Sequence, residues 1–289
     1  MVTSKDKVGV KHRLDHDAEP GASRNLVIPT HNLILAALPP AEANRIVAVS
    51  KPVQLLPPDV VYEAGDEIEY VYFPVDSVMA TVGVLEDGSS VEISMSGREG
   101  IVGLPALIGG GRALHWTRVS VGGTALRISS ASLNELSRAS EPISDAIMCA
   151  YRNLYTQICQ RSICNVRHTL LQRLSVWLLM IHDRVGSHDL PFTQEDISNR
   201  ISVRRAGVSV AASLLQAMHA ITYHRGKIII QDRLAIESTA CECYSVMVQD
   251  FEKDPVGRRS TPRTSCLIGV SWPTLSPSSL PDPLRSQSR

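Results

Sequence analysis

The C-terminal half of the chain carries cationic and hydrogen-bonding side chains whose types and spacing suit contact with a polyanion. Arg204 and Arg205 are adjacent where a helix is predicted to begin, shortly after the sequence Thr-Gln-Glu-Asp at residues 193–196. An arginine can bond the O6 and N7 atoms of guanine together, and the positive end of a helix favours phosphate. The alternative is a solvated pair of surface arginines. Duplex DNA is therefore the first candidate ligand.

The residues around these arginines predict two short helices joined by a tight turn. Thr193 can cap the first helix while Asp196 reaches back to it, and Ser202 can cap the second helix. Such a pair, with arginines opening the second helix, is typical of a helix-turn-helix whose second helix enters the major groove. The apolar positions of the pair are Ile197, Ile201, Val208, Ala211, Ala212, Leu215 and Met218.

A β-hairpin is predicted directly after the second helix. Gly226 suits the turn, and three consecutive isoleucines follow it. Arg225 and Lys227 then lie at the tip of a wing, where they can contact the phosphate backbone. The predicted DNA contacts are Thr193, Gln194, Ser202, Arg204, Arg205, Ser209, Arg225 and Lys227.

The residues that precede this segment have a pattern typical of strands rather than of helices over most of their length. Residues 31–49 have a short helical pattern, whereas residues 53–128 form short runs of strand-favouring residues. Turn signals interrupt these runs every eight to twelve residues or so, as is typical of β-sandwiches and barrels. We therefore predict a β-sandwich or a barrel-like roll in the N-terminal half.

A long helix is predicted to begin near Ser140, which can act as its N-cap, with Pro142 in the first turn. Apolar residues then recur at spacings of three and four, as in the seam of a coiled coil that pairs two subunits. Packing of the same residues against the chain's own core is the alternative. The seam consists of Ile143, Ile147, Ala150, Leu154 and Ile158. A second helix follows, with Gly186 as its predicted C-cap.

The charge of the 289-residue chain is unevenly distributed, although the formal net charge is +0. Residues 51–110 hold ten acidic and two basic side chains, whereas residues 165–233 hold nine basic and five acidic ones. Only the second region is suited to face a polyanion. The sequence shows no signal peptide and no apolar run long enough to span a membrane, so we expect a cytoplasmic protein with no membrane contact.

Six cysteines occur, none in the closely spaced framework of a small secreted domain. The sequence Cys241-Glu242-Cys243 raises the possibility of a metal or redox site. Thiols two positions apart lie on different faces of a helix, however, so buried structural cysteines are the better interpretation. The histidine–aspartate pairs at residues 182–183 and 188–189 are assigned to a polar loop. We therefore predict no metal site and no cofactor.

Catalytic fingerprints are also missing from the sequence. No nucleophile elbow, metalloprotease motif, dinucleotide-binding motif or P-loop occurs in it. We predict no catalytic residues and no enzyme activity.

The ordered combination of these segments resembles the Crp/Fnr superfamily of transcription regulators. The sequence FTQEDISNRISVRRAGVSVAASLLQAMHAITYHRGKIIIQDR at residues 192–233 resembles the winged helix-turn-helix of that family. The stretches VVYEAGDEIEYVYFPVDSVMATV and DGSSVEISMSGREGIVGLPALIGG, at residues 60–82 and 87–110, resemble its effector-binding β-roll. The apolar seam falls where the family has its dimerisation helix.

The resemblance implies an α+β protein. Its parts are an N-terminal double-stranded β-roll like that of cyclic-nucleotide-binding domains, a long dimerisation helix and a C-terminal winged helix-turn-helix. It also implies a homodimer on a near-palindromic duplex site, with RNA polymerase as a further partner. The expected segments are a flexible arm (residues 1–30), the β-roll (31–139), the dimerisation helix (140–164), the DNA-binding domain (165–253) and a disordered tail rich in proline and serine (254–289).

Departures from the family concern the effector. Gly103-Leu104 stands where cyclic-nucleotide binders have a Gly-Glu pair that meets the ribose, and Leu114 stands near the position of their phosphate-binding arginine. A leucine cannot replace either charged group, so we expect an effector other than cyclic AMP. No cysteine precedes Cys149, which excludes the N-terminal iron–sulfur cluster of one branch of the family. The candidate effector pocket is Arg98, Glu99, Gly103, Leu104 and Arg112.

The second helix of the helix-turn-helix departs from the family as well. Ala206 and Val210 stand where well-known members have a glutamate and a second arginine, after the residue that matches Arg205. The DNA sequence read must therefore differ from theirs. The alternative function is an effector sensor whose degenerate helix-turn-helix mediates protein contacts, and DNA binding that is absent or insensitive to salt would favour it.

Overall fold

The computed structural model describes residues 31–224 and 226–253, with side chains up to residue 248. The predicted N-terminal arm, Arg225 at the hairpin tip and the tail rich in proline and serine lie outside these residues.

Seven antiparallel strands form the N-terminal β-roll, after two short helices, α1 (Leu33–Ala37) and α2 (Pro40–Ala48). The strands are β1 (Lys51–Leu55), β2 (Val60–Tyr62), β3 (Tyr70–Pro74), β4 (Val78–Val84), β5 (Ser90–Ser96), β6 (Trp116–Val121) and β7 (Gly123–Ser129). One sheet has the order β1-β7-β3 and the other the order β2-β6-β4-β5. A short 3-10 helix, Leu104–Leu107, lies between β5 and β6.

The first sheet has its large apolar side chains buried against helices. In the register of β3 with β7, Phe73 lies opposite Leu126 and Val71 lies opposite Ile128. All four side chains are buried in one cluster with residues of α1, α2 and the two helices that follow the roll. Full burial of each such side chain stabilises the fold by about 1.5–3 kcal/mol, which explains why these strands and helices form one unit.

Two helices follow the roll, α3 (Ser130–Ala139) and the 27-residue α4 (Glu141–Arg167). Helix α4 begins where expected, with Pro142 in its first turn, but the prediction that Ser140 caps it is wrong. Ser140 occupies the N-cap position, yet its hydroxyl is buried without a hydrogen bond to any described residue. The helix continues three residues beyond the expected boundary at residue 164.

The apolar seam predicted for subunit pairing packs against the chain's own β-roll instead. Ile143, Ile147 and Ala150 are buried in the cluster that holds Phe73, and Leu154 packs against the same cluster. A helix beside a large apolar sheet buries its most apolar face there. The alternative interpretation of this seam is therefore the one that the structure supports.

The C-terminal part consists of five helices after α4 and a small sheet of order β8-β10-β9, within the described residues. Its elements are α5 (Leu170–Val185), β8 (Asp189–Leu190), α6 (Gln194–Arg200), α7 (Arg205–Ala217), β9 (Ile221–His224), β10 (Lys227–Ile230), α8 (Arg233–Thr239) and α9 (Cys243–Lys253). Gly186 ends α5 in the left-handed conformation at φ 66°, as predicted. The α+β class, with a β-roll, a long helix and a C-terminal helix-turn-helix, is confirmed.

None of the helices within the described residues is long and apolar enough to span a membrane.

Candidate nucleic-acid interface

Helix α6 is fixed at its start by the predicted capping box. Thr193 Oγ1 accepts a hydrogen bond from the backbone N–H of Asp196 at 3.0 Å, and Asp196 Oδ2 accepts one from the N–H of Thr193 at 2.8 Å. Two N–H groups that a helix start leaves unpaired are satisfied in this way. Thr193 therefore positions the first helix of the pair.

The turn between α6 and α7 is built differently from the prediction. Ser202 is exposed and adopts φ 51°, a left-handed conformation that reverses the chain, so it does not cap α7. The N-cap position of α7 is Arg204, whose side chain makes no capping hydrogen bond. The N–H of Val203 donates to the carbonyl of Ser198 at 3.0 Å, and the Arg173 guanidinium on α5 donates to the carbonyl of Ile201. The turn is thereby held to both α6 and α5.

Helix α7 buries one face and exposes the other. Its buried side chains are Val208, Ala211, Ala212 and Leu215, at the spacing of one helical stripe, which confirms the predicted apolar face except for the exposed Met218. The opposite face exposes Ala206 and Val210 and half-exposes Ser209. At Gly207 a Cβ would lie 2.8 Å from Leu170 Cδ2, so α7 packs closely on the start of α5 at this point.

The two arginines that open α7 are free to meet a ligand. Arg204 and Arg205 are exposed, and neither forms an ion pair with a residue that the structure describes. They lie at the positive end of a 13-residue helix. Two uncompensated guanidinium groups at that end make the start of α7 suited to bind phosphate or base edges.

The hairpin forms as predicted, with Gly226 at φ 80° in its turn and Lys227 exposed beside it. Arg225 lies outside the described residues. Tyr223 of β9 connects the hairpin to both helices of the pair: its hydroxyl accepts from the N–H of Gln194 at 3.1 Å, and its N–H donates to Gln216 Oε1 at 3.0 Å. A Cβ at Gly226 would lie 3.4 Å from Thr193, so the wing turn adjoins the start of α6.

The architecture is similar to that of solved transcription regulators at low sequence identity, a likeness that concerns the fold. FixK2 from Bradyrhizobium japonicum is 15% identical with a TM-score of 0.59, over 67% of this chain and 98% of that one. The c-di-GMP responsive global regulator CLP from Xanthomonas campestris is 14% identical with a TM-score of 0.52, over 66% and 99%. A CRP-family regulator from Thermus thermophilus is 16% identical with a TM-score of 0.52, over 66% and 96%. No curated protein matches the chain.

Two family models match the parts described above. The model of the Crp-like helix-turn-helix domain matches residues 172–238, and the model of the cyclic nucleotide-binding domain matches residues 52–140. Together they cover more than half of the chain, in the order found in Crp/Fnr regulators. The chain belongs to the Crp/Fnr superfamily of transcription regulators. It is a DNA-binding regulator, and the surface formed by α6, α7 and the wing is its candidate interface.

The five residues predicted for the effector pocket of this Crp/Fnr regulator differ from one another in burial and in the groups that they contact. Glu99 is buried, forms an ion pair with Arg184 whose Nε lies 2.7 Å away, and accepts a hydrogen bond from the N–H of Gly97 at 3.1 Å. Arg112 is exposed and donates to the carbonyl of Gly65 at 2.8 Å, and Arg98 is exposed.

The two remaining pocket residues are tightly packed. Gly103 adopts φ 99°, and a Cβ there would lie 2.7 Å from the hydroxyl of Tyr62. Leu104 is buried in the apolar cluster of the first sheet. The effector pocket therefore stays a prediction, with Glu99 already engaged in an ion pair.

One buried carboxylate of the β-roll contacts the DNA-binding part of the regulator, and sequence reasoning missed it. Glu92 on β5 accepts from Arg161 of α4 at 2.9 Å, from Arg200 of α6 at 2.8 Å and from the indole N–H of Trp177 on α5 at 3.1 Å. Arg200 also donates to Ser120 of β6 at 2.8 Å. Strand β5 buries Glu92 and Ser94 as well as Met95 and only half-buries Val91 and Ile93, so side-chain hydropathy does not indicate which of its residues are buried.

A cluster of three cysteines and one histidine lies at the end of α4. Cys164 and His168 approach Cys241 and Cys243, and the three thiols are buried. Burial raises the pKa of the Cys243 thiol to about 11 and raises that of Cys164 as well. The prediction that residues 241 and 243 diverge assumed a helix, whereas Cys241 precedes α9 and Cys243 begins it.

Proposed function

We propose that the regulator binds a near-palindromic duplex site as a homodimer, placing the start of each α7 in a major groove. The observation that carries the proposal is the pair of exposed arginines, Arg204 and Arg205, at the positive end of α7, with the wing turn beside the start of α6. Dimer symmetry then requires half-sites spaced by about one helical turn, roughly 34 Å, or a multiple of it.

A second face of α4 supports pairing of two copies. Apolar and aromatic side chains are exposed there at spacings of three, four, eight and three residues, and Tyr151 stacks on Tyr155 with ring centroids 6.5 Å apart. At 3.6 residues per turn these positions share one face of the 27-residue helix, which can pack against the same helix of a second copy. The exposed members are Met148, Tyr151, Tyr155, Ile163 and Val166. We propose this stripe as the dimer contact in place of the seam that the sequence suggested.

The exposed face of α7 supports a specific mode of base reading. We expect Arg205, exposed at the start of α7, to bond a guanine edge, and the exposed side chains of Ala206 and Val210 follow it on the same helix. Small apolar side chains in the major groove contact the C5-methyl group of thymine. We therefore expect a half-site in which a guanine is followed within a few base pairs by thymines. Lys227, together with Arg225, contacts the phosphate backbone.

Gating by an effector other than cyclic AMP is part of the proposal. Leu104 is buried among apolar side chains where a cyclic-nucleotide binder needs a carboxylate, and Leu114 is 77% exposed where it needs a phosphate-binding cation. A ligand acts only by favouring one arrangement of the β-roll and the DNA-binding part. The contact between Glu92 and Arg200 would transmit that preference from the β-roll to α6. We expect cytoplasmic action, recruitment of RNA polymerase and no catalysis.

Protein contact by the helix-turn-helix is the second candidate function, favoured by one observation. Val210, Leu214 and Met218 are exposed at intervals of four along α7, which gives the helix an apolar stripe. Stripes of this kind also bind the grooves of partner proteins.

The deciding experiment is selection from a random duplex library with the purified full chain at a stated salt concentration, with Arg204→Ala/Arg205→Ala as the matched control. Enrichment of a two-fold symmetric site by the wild type alone is expected. If a folded wild type enriches nothing, either alone or with candidate nucleotides added, the DNA-reading proposal is overturned in favour of protein contact.

A further inference from the structure

The cluster at the end of α4 has the donor atoms and spacing of a closed metal site. The Sγ atoms of Cys164, Cys241 and Cys243 and a ring nitrogen of His168 all lie within 4.8 Å of one another. Cys164 Sγ lies 3.6 Å from Cys241 Sγ, and Cys243 Sγ lies 3.3 Å from His168 Nδ1. Four donors are therefore close enough to share one ion.

These distances fit a tetrahedron around a single ion. With zinc–sulfur bonds of about 2.3 Å, the sulfurs of a regular tetrahedral site lie about 3.8 Å apart, and a sulfur–nitrogen edge is slightly shorter. Both distances quoted above lie within a few tenths of an ångström of these edges. Cys164 and Cys241 are also well beyond the bonding distance of a disulfide, about 2.05 Å.

The atoms around the donors are arranged as an outer coordination shell. His168 Nε2 lies 3.3 Å from the carboxylate of Glu242, which favours the ring with its proton on Nε2 and leaves Nδ1 free as a ligand. Gln160 Nε2 donates to Cys243 Sγ at 3.2 Å, a contact that stabilises a thiolate. Packing of cysteines as small apolar side chains explains neither contact.

The sequence brings these donors together from two places. Cys164 and His168 are four residues apart at the C-terminal end of α4, so they lie on one helix face. Cys241 and Cys243 lie at the junction of α8 and α9, on the far side of the helix-turn-helix in sequence. An ion bound here would link the junction between α4 and α5 to α8 and α9, the last helices of the DNA-binding part.

We propose that Cys164, His168, Cys241 and Cys243 bind one Zn²⁺ ion per chain. A Cys₃His set without an open position is typical of structural zinc, since soft thiolates select it and a closed tetrahedron leaves no place for substrate. The ion stabilises the fold by closing a long loop between Cys164 and Cys241, which are 77 positions apart in sequence. This inference does not depend on the proposed DNA site.

The test measures metal in the full untagged chain, purified with a reductant and without chelator. Elemental analysis is expected to find one equivalent of zinc, and refolding with Co²⁺ alone is expected to give thiolate-to-cobalt charge-transfer bands and the intense d–d bands of a tetrahedral site. The variants Cys164→Ser and Cys243→Ser should lose both signals. Cys159→Ser, on α4 outside the cluster, and Cys266→Ser should keep one equivalent.

A variant outside the donor set distinguishes weaker metal binding from loss of the fold. Glu242 is exposed in its side chain by 74%, so Glu242→Ala should fold and keep the cobalt spectrum while binding zinc about 10- to 100-fold more weakly. Zinc below one tenth of an equivalent with no cobalt bands in the wild type overturns the proposal. Retention of a full equivalent in both serine variants overturns it too, as does iron with labile sulfide in place of zinc.

Discussion

Arg200, the last residue of the first helix of the helix-turn-helix, donates to the carboxylate of Glu92 in the β-roll at 2.8 Å. Arg161 of the long helix donates to the same carboxylate at 2.9 Å. One buried carboxylate thus binds two guanidinium groups from two different helices. Removing a single partner from such a group leaves buried charge without compensation.

Glu92→Gln is therefore expected to destabilise the protein by about 3 kcal/mol or more, since the amide keeps the shape but not the charge. Urea denaturation followed by tryptophan fluorescence measures this, because the indole of Trp177 bonds to Glu92. Glu195→Gln, at an exposed position on the same α6, is the control and should change stability by less than about 0.5 kcal/mol. Equal free energies of unfolding for the two variants would show that the charge of Glu92 does not stabilise the fold through the two arginines.

Substitutions at α7 and at the wing should affect DNA binding in different ways. Arg205→Ala should cost about 1–3 kcal/mol on the selected site and relax the preference at one base position. Lys227→Ala should weaken binding to all sequences alike and lower the slope of log K against log salt by about 0.9. Titrations at several salt concentrations, on specific and scrambled duplexes, measure both. A changed base preference in Lys227→Ala would contradict the backbone role.

Introducing a charged residue into the exposed stripe of α4 tests whether this stripe pairs two copies of the chain. Tyr155 is 59% exposed, so Tyr155→Glu should leave the fold of the single chain intact while placing like charges opposite each other in a pair of α4 helices. Sedimentation velocity at micromolar concentration should then show a monomer. Leu234→Glu, at a residue of α8 that is 73% exposed, should remain dimeric. A monomeric wild type would end the dimer proposal.

His182 predicts a pH dependence of stability. Burial, and next the charge of Arg233, lower the pKa of His182 from its ordinary value of 6.5. Its Nδ1 lies 2.8 Å from Arg233 Nη1, where a neutral ring accepts the hydrogen bond. The folded state therefore binds this proton less readily than the unfolded chain. The stabilisation is complete above the unfolded pKa and falls as the pH drops from about 6.5 towards the lower folded value.

Urea midpoints measured between about pH 5 and 7.5 should show this loss in the wild type. His182→Asn, which keeps an acceptor for Arg233, should flatten the pH dependence. His219→Asn is the control, because His219 is exposed and an asparagine tolerates its φ of 56°. An unchanged slope in His182→Asn would assign the effect to another group.

Local signals in the sequence were sufficient to predict the helix-turn-helix and its wing. Thr193 and Asp196 form a capping box between neighbouring residues, and Gly226 provides the turn of a hairpin whose strands adjoin it. Each of these features depends on residues a few positions apart. For this reason their types and spacing carry the information.

Features that depend on distant partners were predicted less well. Which face of α4 is buried is decided by the sheet that contains Phe73, and the sequence of the helix alone presents two candidate faces, one with Ile147 and one with Tyr155. Glu92 is buried because arginines from elsewhere in the chain reach it. The cysteine cluster likewise joins residues 77 positions apart in sequence.

Tyr223 bonds to the start of α6 through its hydroxyl and to Gln216 of α7 through its backbone. Since this one residue of the wing bonds to both helices, we expect the wing, α6 and α7 to keep one relative orientation. A chimaera meant to carry this regulator's base preference into another scaffold should transplant residues 189–230 as a block, which includes β8 as the third strand of the wing sheet. Grafting α7 alone would leave its orientation to the host.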